Sequence, residues 1–157
     1  MASSQDRVRD ALSAAGIVAD IVEFGSETRT SQQAAEAIGC AVAQIAKSLV
    51  FKGRQTGQPV LVVASGSNRV CEKKLERLLG EKIGKADADF VREQTGFAIG
   101  GVAPVGHVNT LRVVVDADIL QYTEMWAAAG TPNSVFRIDP HSLINVSGGT
   151  PADVRQD

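Results

Sequence analysis

The 157-residue sequence predicts an α/β (α+β) fold, a single compact domain carrying a mixed β-sheet. Three observations carry that expectation. Hydrophobic residues make up 44% of the chain and charged residues 22%, a globular composition long enough to bury one sizeable core. Segments with strand character alternate with segments of helical periodicity, and no repeat, heptad or low-complexity stretch interrupts them. Two of the strand segments read as hairpin neighbours, which favours a mixed sheet over a purely parallel one.

Taken in order, Ser4 is placed to cap a first helix carrying Val8, Leu12 and Ala15 on one face, with Gly16 ending it. Residues 17–24 are β-branched and apolar enough for a strand. Thr30-Ser-Gln-Gln33 has the form of a capping box and opens a short Ala-rich helix that Gly39 terminates. Residues 48–52 and 60–65 form two strands joined through Gly53-Arg-Gln-Thr-Gly57. Ser67 or Asn68 caps the next helix, which carries Val70, Leu75, Leu78 and Leu79 and stops at Gly80. Asp87 caps a helix over 88–94, and Gly96 follows. Gly100-Gly-Val-Ala-Pro-Val-Gly106 is too rich in Gly and Pro for regular structure. Residues 112–115 form a buried strand, 117–129 a helix ending at Gly130, and 134–138 a last strand. One domain is expected over 1–157, with residues 1–3 and 150–157 as tails.

Several function classes recede on composition alone. The formal charge is −2, which argues against wholesale coating of nucleic acid while leaving room for a local basic patch. No apolar run approaches the roughly 18 to 20 residues needed to cross a bilayer, and no membrane partner is expected. The first seven residues lack the apolar core of a secretory signal, so a cytoplasmic, reduced chain is expected. Cys40 and Cys71 are too few for a disulfide scaffold, and neither they nor His107 and His141 have metal-ligand spacing. The sequence contains no GxSxG, HExxH, GxxxxGK[ST] or strand-borne GxGxxG motif.

Three features stand out. Lys47, in Ile45-Ala-Lys-Ser-Leu-Val-Phe51, sits at the mouth of an apolar strand that would hold its ammonium toward an anion; taken alone, it reads first as a snorkelling lysine at a strand end. The loop Gly100 to His107 lets a ligand approach the backbone, and Pro104 stiffens it. Such a loop can aim N–H groups at a developing oxyanion, or can be a plain turn. Arg69, Lys73 and Arg77 fall at i, i+4 and i+8 with Lys74 beside them, and residues 69–85 carry six basic and three acidic side chains. That stripe reads as a solvated helix face or as a seat for one stretch of phosphate backbone.

Together and in this order, these features resemble the YbaK/ProX family, free-standing relatives of the editing domain inserted in bacterial prolyl-tRNA synthetases. The resemblance rests on Ala34-Ala-Glu-Ala-Ile-Gly39, Ile45-Ala-Lys-Ser-Leu-Val50, Lys73-Lys-Leu-Glu-Arg-Leu-Leu-Gly80, Gly100-Gly-Val-Ala-Pro-Val-Gly106 and Val113-Val-Val-Asp116. It implies a barrel-like sheet surrounded by helices and hydrolysis of the ester joining a wrongly attached amino acid to the 3′ end of tRNA. Lys47 matches the family's signature lysine and Gly100 to Pro104 its GxxxP loop. Implied roles follow: Lys47 pairs with a phosphate or orients the aminoacyl end, and N–H groups around Gly100 and Gly101 polarise the ester carbonyl. Thr30, Ser65, Gly66, Ser67, Asn68, Pro104, Gly106, His107, Ala129 and Gly130 are implied to line the substrate site, while Arg69, Lys73, Lys74 and Arg77 meet the tRNA.

No protein nucleophile, metal or other cofactor is implied. The implied partners are aminoacyl-tRNA, through its 3′ end and acceptor stem, and a prolyl-tRNA synthetase or another synthetase; DNA is not among them. The turn that often reads Ser-Gly-Gly in cysteine-specific relatives is Ala128-Ala129-Gly130 here. The acyl group is therefore left open among alanine, serine, threonine, cysteine and a non-protein analogue. A competing expectation is a module of the same fold that binds a tRNA end, a nucleotide or a synthetase without hydrolysis.

Overall fold

The structure, a computed structural model, describes residues 3–25 and 30–157. Its five α-helices among those residues are α1 (Ser4–Ala14), α2 (Ser31–Ile38), α3 (Glu72–Leu79), α4 (Ala88–Thr95) and α5 (Pro140–Ser147). Their starts follow local chemistry. Ser3, one residue earlier than expected, accepts from the Asp6 N–H at 3.1 Å while the Asp6 carboxylate accepts from the Ser3 N–H at 3.2 Å. The side chains of Thr30, Asp87 and Asp139 accept from the third residue beyond at 3.0, 2.8 and 3.0 Å. Gly39, Gly80, Gly96 and Gly148 end four of the helices.

Eight strands form one mixed sheet: β1 (Ile21–Glu23), β2 (Ile45–Gly53), β3 (Pro59–Ser65), β4 (Ile83–Lys85), β5 (Arg112–Asp116), β6 (Met125–Ala128), β7 (Ser134–Ile138) and β8 (Thr150–Ala152). The order is β1-β7-β6-β2-β3-β5-β8, with β4 added to the far end of β2. β2 and β3 form the expected hairpin, with Lys47 opposite Ala64 and Lys52 opposite Pro59. The β6–β2, β3–β5 and β5–β8 pairs are parallel.

Each strand from β7 to β5 turns one face to a common core. Phe136, Met125, Ala127, Ala46, Leu61, Val63, Val113 and Val115 meet Val8 and Leu12 of α1 there, so the sheet curls around its interior. The opposite face of β3 and β5 offers Val60, Val62, Ala64 and Val114 to Leu75 of α3, Ile83 and Val154. β3 is thus buried on both faces, which is why Val60 to Ala64 read as a continuous apolar run. Each fully buried Val or Leu there contributes about 1.5–3 kcal/mol.

Several expectations give way. Residues 117–129 are not one helix: a 3₁₀ turn (Ala117–Gln121) precedes β6, where Met125 and Ala127 point inward at strand spacing and pairing to β2 overrides the helix preference of Ala and Leu. α3 starts at Glu72 rather than after Ser67 or Asn68, because residues 69–71 are held by a neighbouring segment. The Cys71 N–H donates to Val154 O at 2.7 Å and Val70 bridges Arg155. Residues 150–157, expected as a tail, are built into the fold through β8 and through Val154, which is 1% exposed. Met1 and Ala2 of the other expected tail lie outside the described residues, and Ser3 caps α1.

Candidate active site

The site begins with a gap in the sheet. On the side of β2 away from β3, residues 45–46 pair with β6 and residues 51–53 pair with β4. Between them, residues 47–50 pair with no strand on that side among the described residues. A cavity of about 300 Å³ opens at that gap. Lys47, Ser48 and Leu49 form its floor; Thr30, Ser31 and Ala34 of α2 and its cap form one wall. Ile99, Gly100, Val102, Trp126, Ala128 and Thr131 also line it.

Lys47 and the glycine bend therefore meet at one cavity. The Lys47 ammonium donates to the Asn68 carbonyl, leaving two of its three hydrogens for other acceptors. Burial lowers its pKa from the ordinary lysine value, the Arg69 cation lowers it further, and the Asp116 carboxylate opposes both. Gly100, also on the cavity lining, has φ +91°, a left-handed conformation suited to glycine. Gly101 packs so closely on the next turn that a Cβ would stand 2.9 Å from the Thr131 backbone. Its N–H is committed to Ala98 O at 3.0 Å. Of the two expected carbonyl-polarising groups, Gly100 is on the cavity wall and Gly101 braces it from behind.

The other expected lining residues divide sharply. Thr30 lines the cavity. Ser65 is 1% exposed behind Lys47, its N–H on Asp116 at 3.2 Å and its hydroxyl on Ala43 O at 2.7 Å. Gly66 donates its N–H to Ile45 O at 2.7 Å, and the Ser67 hydroxyl lies 3.3 Å from that of Ser65. These groups, with Asn68, support Lys47 and are absent from the cavity wall.

Pro104 is buried in the loop, and Gly106 lies against the α1 backbone at Arg7. His107 turns away from the cavity: its Nε2 is 2.7 Å from Ala103 O and its ring meets Phe97 edge-on. Burial lowers its pKa from the ordinary histidine value, against the Ala103 carbonyl. Ala129 is fully buried and Gly130 backs onto Ser4, so it is their neighbour Ala128 that reaches the cavity.

Of the expected tRNA contacts, Lys73 and Arg77 are exposed on α3 and Arg69 is exposed just before it. Lys74 differs. Its ammonium is occupied by Asp153, at 3.1 Å from each carboxylate oxygen, and by Arg155 O at 2.8 Å, so it anchors the 153–157 segment.

Sequence reasoning missed four further groups. Asp116 is 2% exposed and accepts from Ser65 N–H, from Asn68 Nδ2 at 2.8 Å and from Asp118 N–H at 3.0 Å. Its signal was a single carboxylate closing the apolar run Val113-Val-Val. Ser48 and Trp126 are lining residues whose Oγ and Nε1 are buried with no hydrogen-bond partner among the described residues. A second concavity, lined by Lys52, Arg54 and Lys85 with Gly53, Gly57 and Gly84, lies at the far end of β2, some five residues from Lys47. At about 3.3 Å per residue that is roughly 17 Å away.

Residues 25–146 match the aminoacyl-tRNA editing domain. The protein YwhH of Bacillus subtilis is 36% identical over 128 residues, 82% of this chain and 81% of its own length. EbsC of Enterococcus faecalis, named as a candidate Cys-tRNA(Pro)/Cys-tRNA(Cys) deacylase, is 25% identical over 126 residues, 80% of this chain and 76% of its own. A crystal structure titled as a candidate trans-editing enzyme for prolyl-tRNA synthetase superposes with a TM-score of 0.92 at 44% identity. It covers 100% of this chain and 99% of that one.

Proposed function

The chain belongs to the aminoacyl-tRNA editing domain family, and on that premise we propose that it removes a small, wrongly attached amino acid from tRNA. The observation that carries this reading is one cavity lined by both Lys47 and the glycine bend at Gly100. A volume of about 300 Å³ suits a small acyl group and its ribose.

The chemistry asks little of the protein. An aminoacyl ester is an activated acyl group, so positioning and charge stabilisation suffice. A water oxygen adds to the acyl carbon and negative charge develops on the carbonyl oxygen. The ester C–O bond then breaks, and the ribose oxygen leaves with the proton that water gives up, the adjacent ribose hydroxyl orienting that water. Lys47 pairs with the terminal phosphate or orients the aminoacyl end, using the ammonium hydrogens that Asn68 leaves free. The Gly100 N–H serves the carbonyl oxygen.

Selection rests on size. Larger side chains clash with the walls, whereas one methylene in an apolar pocket is worth only about 1–3 kcal/mol. The tRNA stem runs over exposed cations, Arg69, Lys73 and Arg77 on one side and Lys52, Arg54 and Lys85 on the other, with affinity that falls as salt rises. A prolyl-tRNA synthetase or another synthetase is the partner that would deliver the mischarged tRNA.

The test is a panel of tRNAs charged with alanine, serine, threonine and cysteine, incubated with the purified protein and followed for deacylation. Accelerated release of at least one amino acid is expected. Release no faster than the spontaneous rate on all four refutes the reading and favours a binding module.

A further inference from the structure

We propose that Arg155 is a positioning residue for Lys47, acting through the Asp118 carboxylate and the loop that carries Asn68. The inference rests on the reading that Lys47 meets the substrate, but the contacts behind it do not depend on that reading.

The chain of contacts is continuous. The Arg155 guanidinium donates to Asp118 Oδ2 at 3.1 Å. The same oxygen accepts from Asn68 Nδ2 at 2.8 Å, and the Asn68 carbonyl accepts from the Lys47 ammonium. Asn68 is also tied to Asp116 at 2.8 Å, so one amide is shared between two carboxylates. Like charges so placed repel each other unless cations flank them. Lys47 is the cation on the Asp116 side, and Arg155 the cation on the Asp118 side. Asp116 is buried at the end of β5, whereas the Asp118 carboxylate is partly exposed and Arg155 is its one cationic partner among the described residues.

The backbone around Arg155 works to the same end. Cys71 N–H donates to Val154 O at 2.7 Å and Gln156 N–H donates to Arg69 O at 2.8 Å, which pins the residues directly after Asn68. Buried Val154 and the ion pairs from Lys74 to Asp153 and Asp157 seat the segment independently of Arg155. Removing the Arg155 side chain therefore leaves the segment in place and releases only Asp118. The exposed ion pair itself contributes little to stability, so its effect falls on the placement of Asn68.

The experiment compares Arg155→Ala, Arg155→Lys, Asp118→Asn and the double variant Arg155→Ala/Asp118→Asn in the full chain. Two readouts are taken: steady-state deacylation of a mischarged tRNA, and NMR exchange of the Lys47 ammonium protons with water, which needs no activity. Arg155→Ala is expected to lower kcat about tenfold, and by no more than about a hundredfold, with KM within about twofold. The Lys47 protons exchange several-fold faster, because their carbonyl acceptor is no longer held. Arg155→Lys returns both readouts toward wild type, and the double variant is no worse than either single one.

Wild-type kcat together with wild-type exchange in a folded Arg155→Ala overturns the proposal. So does a rise in KM alone, which would make Arg155 a tRNA contact. If the wild-type protein hydrolyses no mischarged tRNA, the deacylase reading fails, and the exchange measurement still decides for or against the positioning role.

Discussion

An ammonium group in a half-dry cavity is useful only if it is both charged and aimed. For Lys47 these conditions have different sources. Burial and Arg69 disfavour the charge while Asp116 restores part of it, and the Asn68 carbonyl sets the direction. The residue type and its strand position were legible in Ile45-Ala-Lys-Ser-Leu-Val50. The partners that aim it, Asn68 and Asp116, lie 21 and 69 positions away and meet it only through the β2–β3–β5 ladder. Lys47→Ala is expected to lower kcat/KM for deacylation about a hundredfold while the melting temperature stays near wild type. A variant that retains full kcat/KM removes Lys47 from the mechanism. His107 shows the reverse case. Its place beside a glycine loop suggested a substrate contact, yet the ring faces Ala103 O and Phe97, because a core position behind the loop was available to it.

At the scale of elements, capping signals read from short windows were dependable because their chemistry is local. Thr30 and Asp87 sit where the hydrogen-bonding pattern of a helix start requires a side-chain acceptor. Thr30→Ala is expected to cost about 1 kcal/mol, lowering the melting temperature by about 2–4 °C in a domain of this size. It also loosens the α2 wall of the cavity, so the deacylation rate is expected to fall in the same variant. A melting curve identical to wild type would show that α2 does not depend on this cap. Readings failed where a distant partner decided the element. Residues 117–129 hold Ala, Leu and Met at a helix-compatible density, but parallel pairing to Ile45 and Ala46 draws 125–128 into a strand. Asn68 was expected to cap α3 and is spent instead on Asp116 and Asp118.

The whole molecule responds to acid through groups that only the fold perturbs. Burial depresses the His107 pKa, so the folded state favours neutral imidazole. The corresponding stability is fully present above the unfolded value of 6.5 and is lost as pH falls from there toward the folded value. The depressed carboxyls of Asp6, Glu81, Asp139 and Asp153, held mainly by hydrogen bonds, add losses of the same sign at lower pH. The melting temperature is therefore expected to drop between pH 7 and pH 5, and His107→Gln, whose amide can still donate to Ala103 O, is expected to flatten that part of the curve. An equally steep decline in the variant would move the effect to other groups.

From the one-dimensional chain alone came the α/β class, the β2–β3 hairpin, three of the helix starts to within a residue, and the two features that meet at the cavity. Each rests on interactions spanning a few residues or on the alternation of apolar side chains, which a linear string records directly. Only the tertiary structure decided where β2 lacks a neighbour and so opens a cavity, which expected residues line it, and which stand behind it. It also turned the expected tail at 150–157 into a strand and a support for Lys47. Those outcomes depend on long-range pairing and on competition for hydrogen-bond acceptors, and neither leaves a periodic trace in sequence.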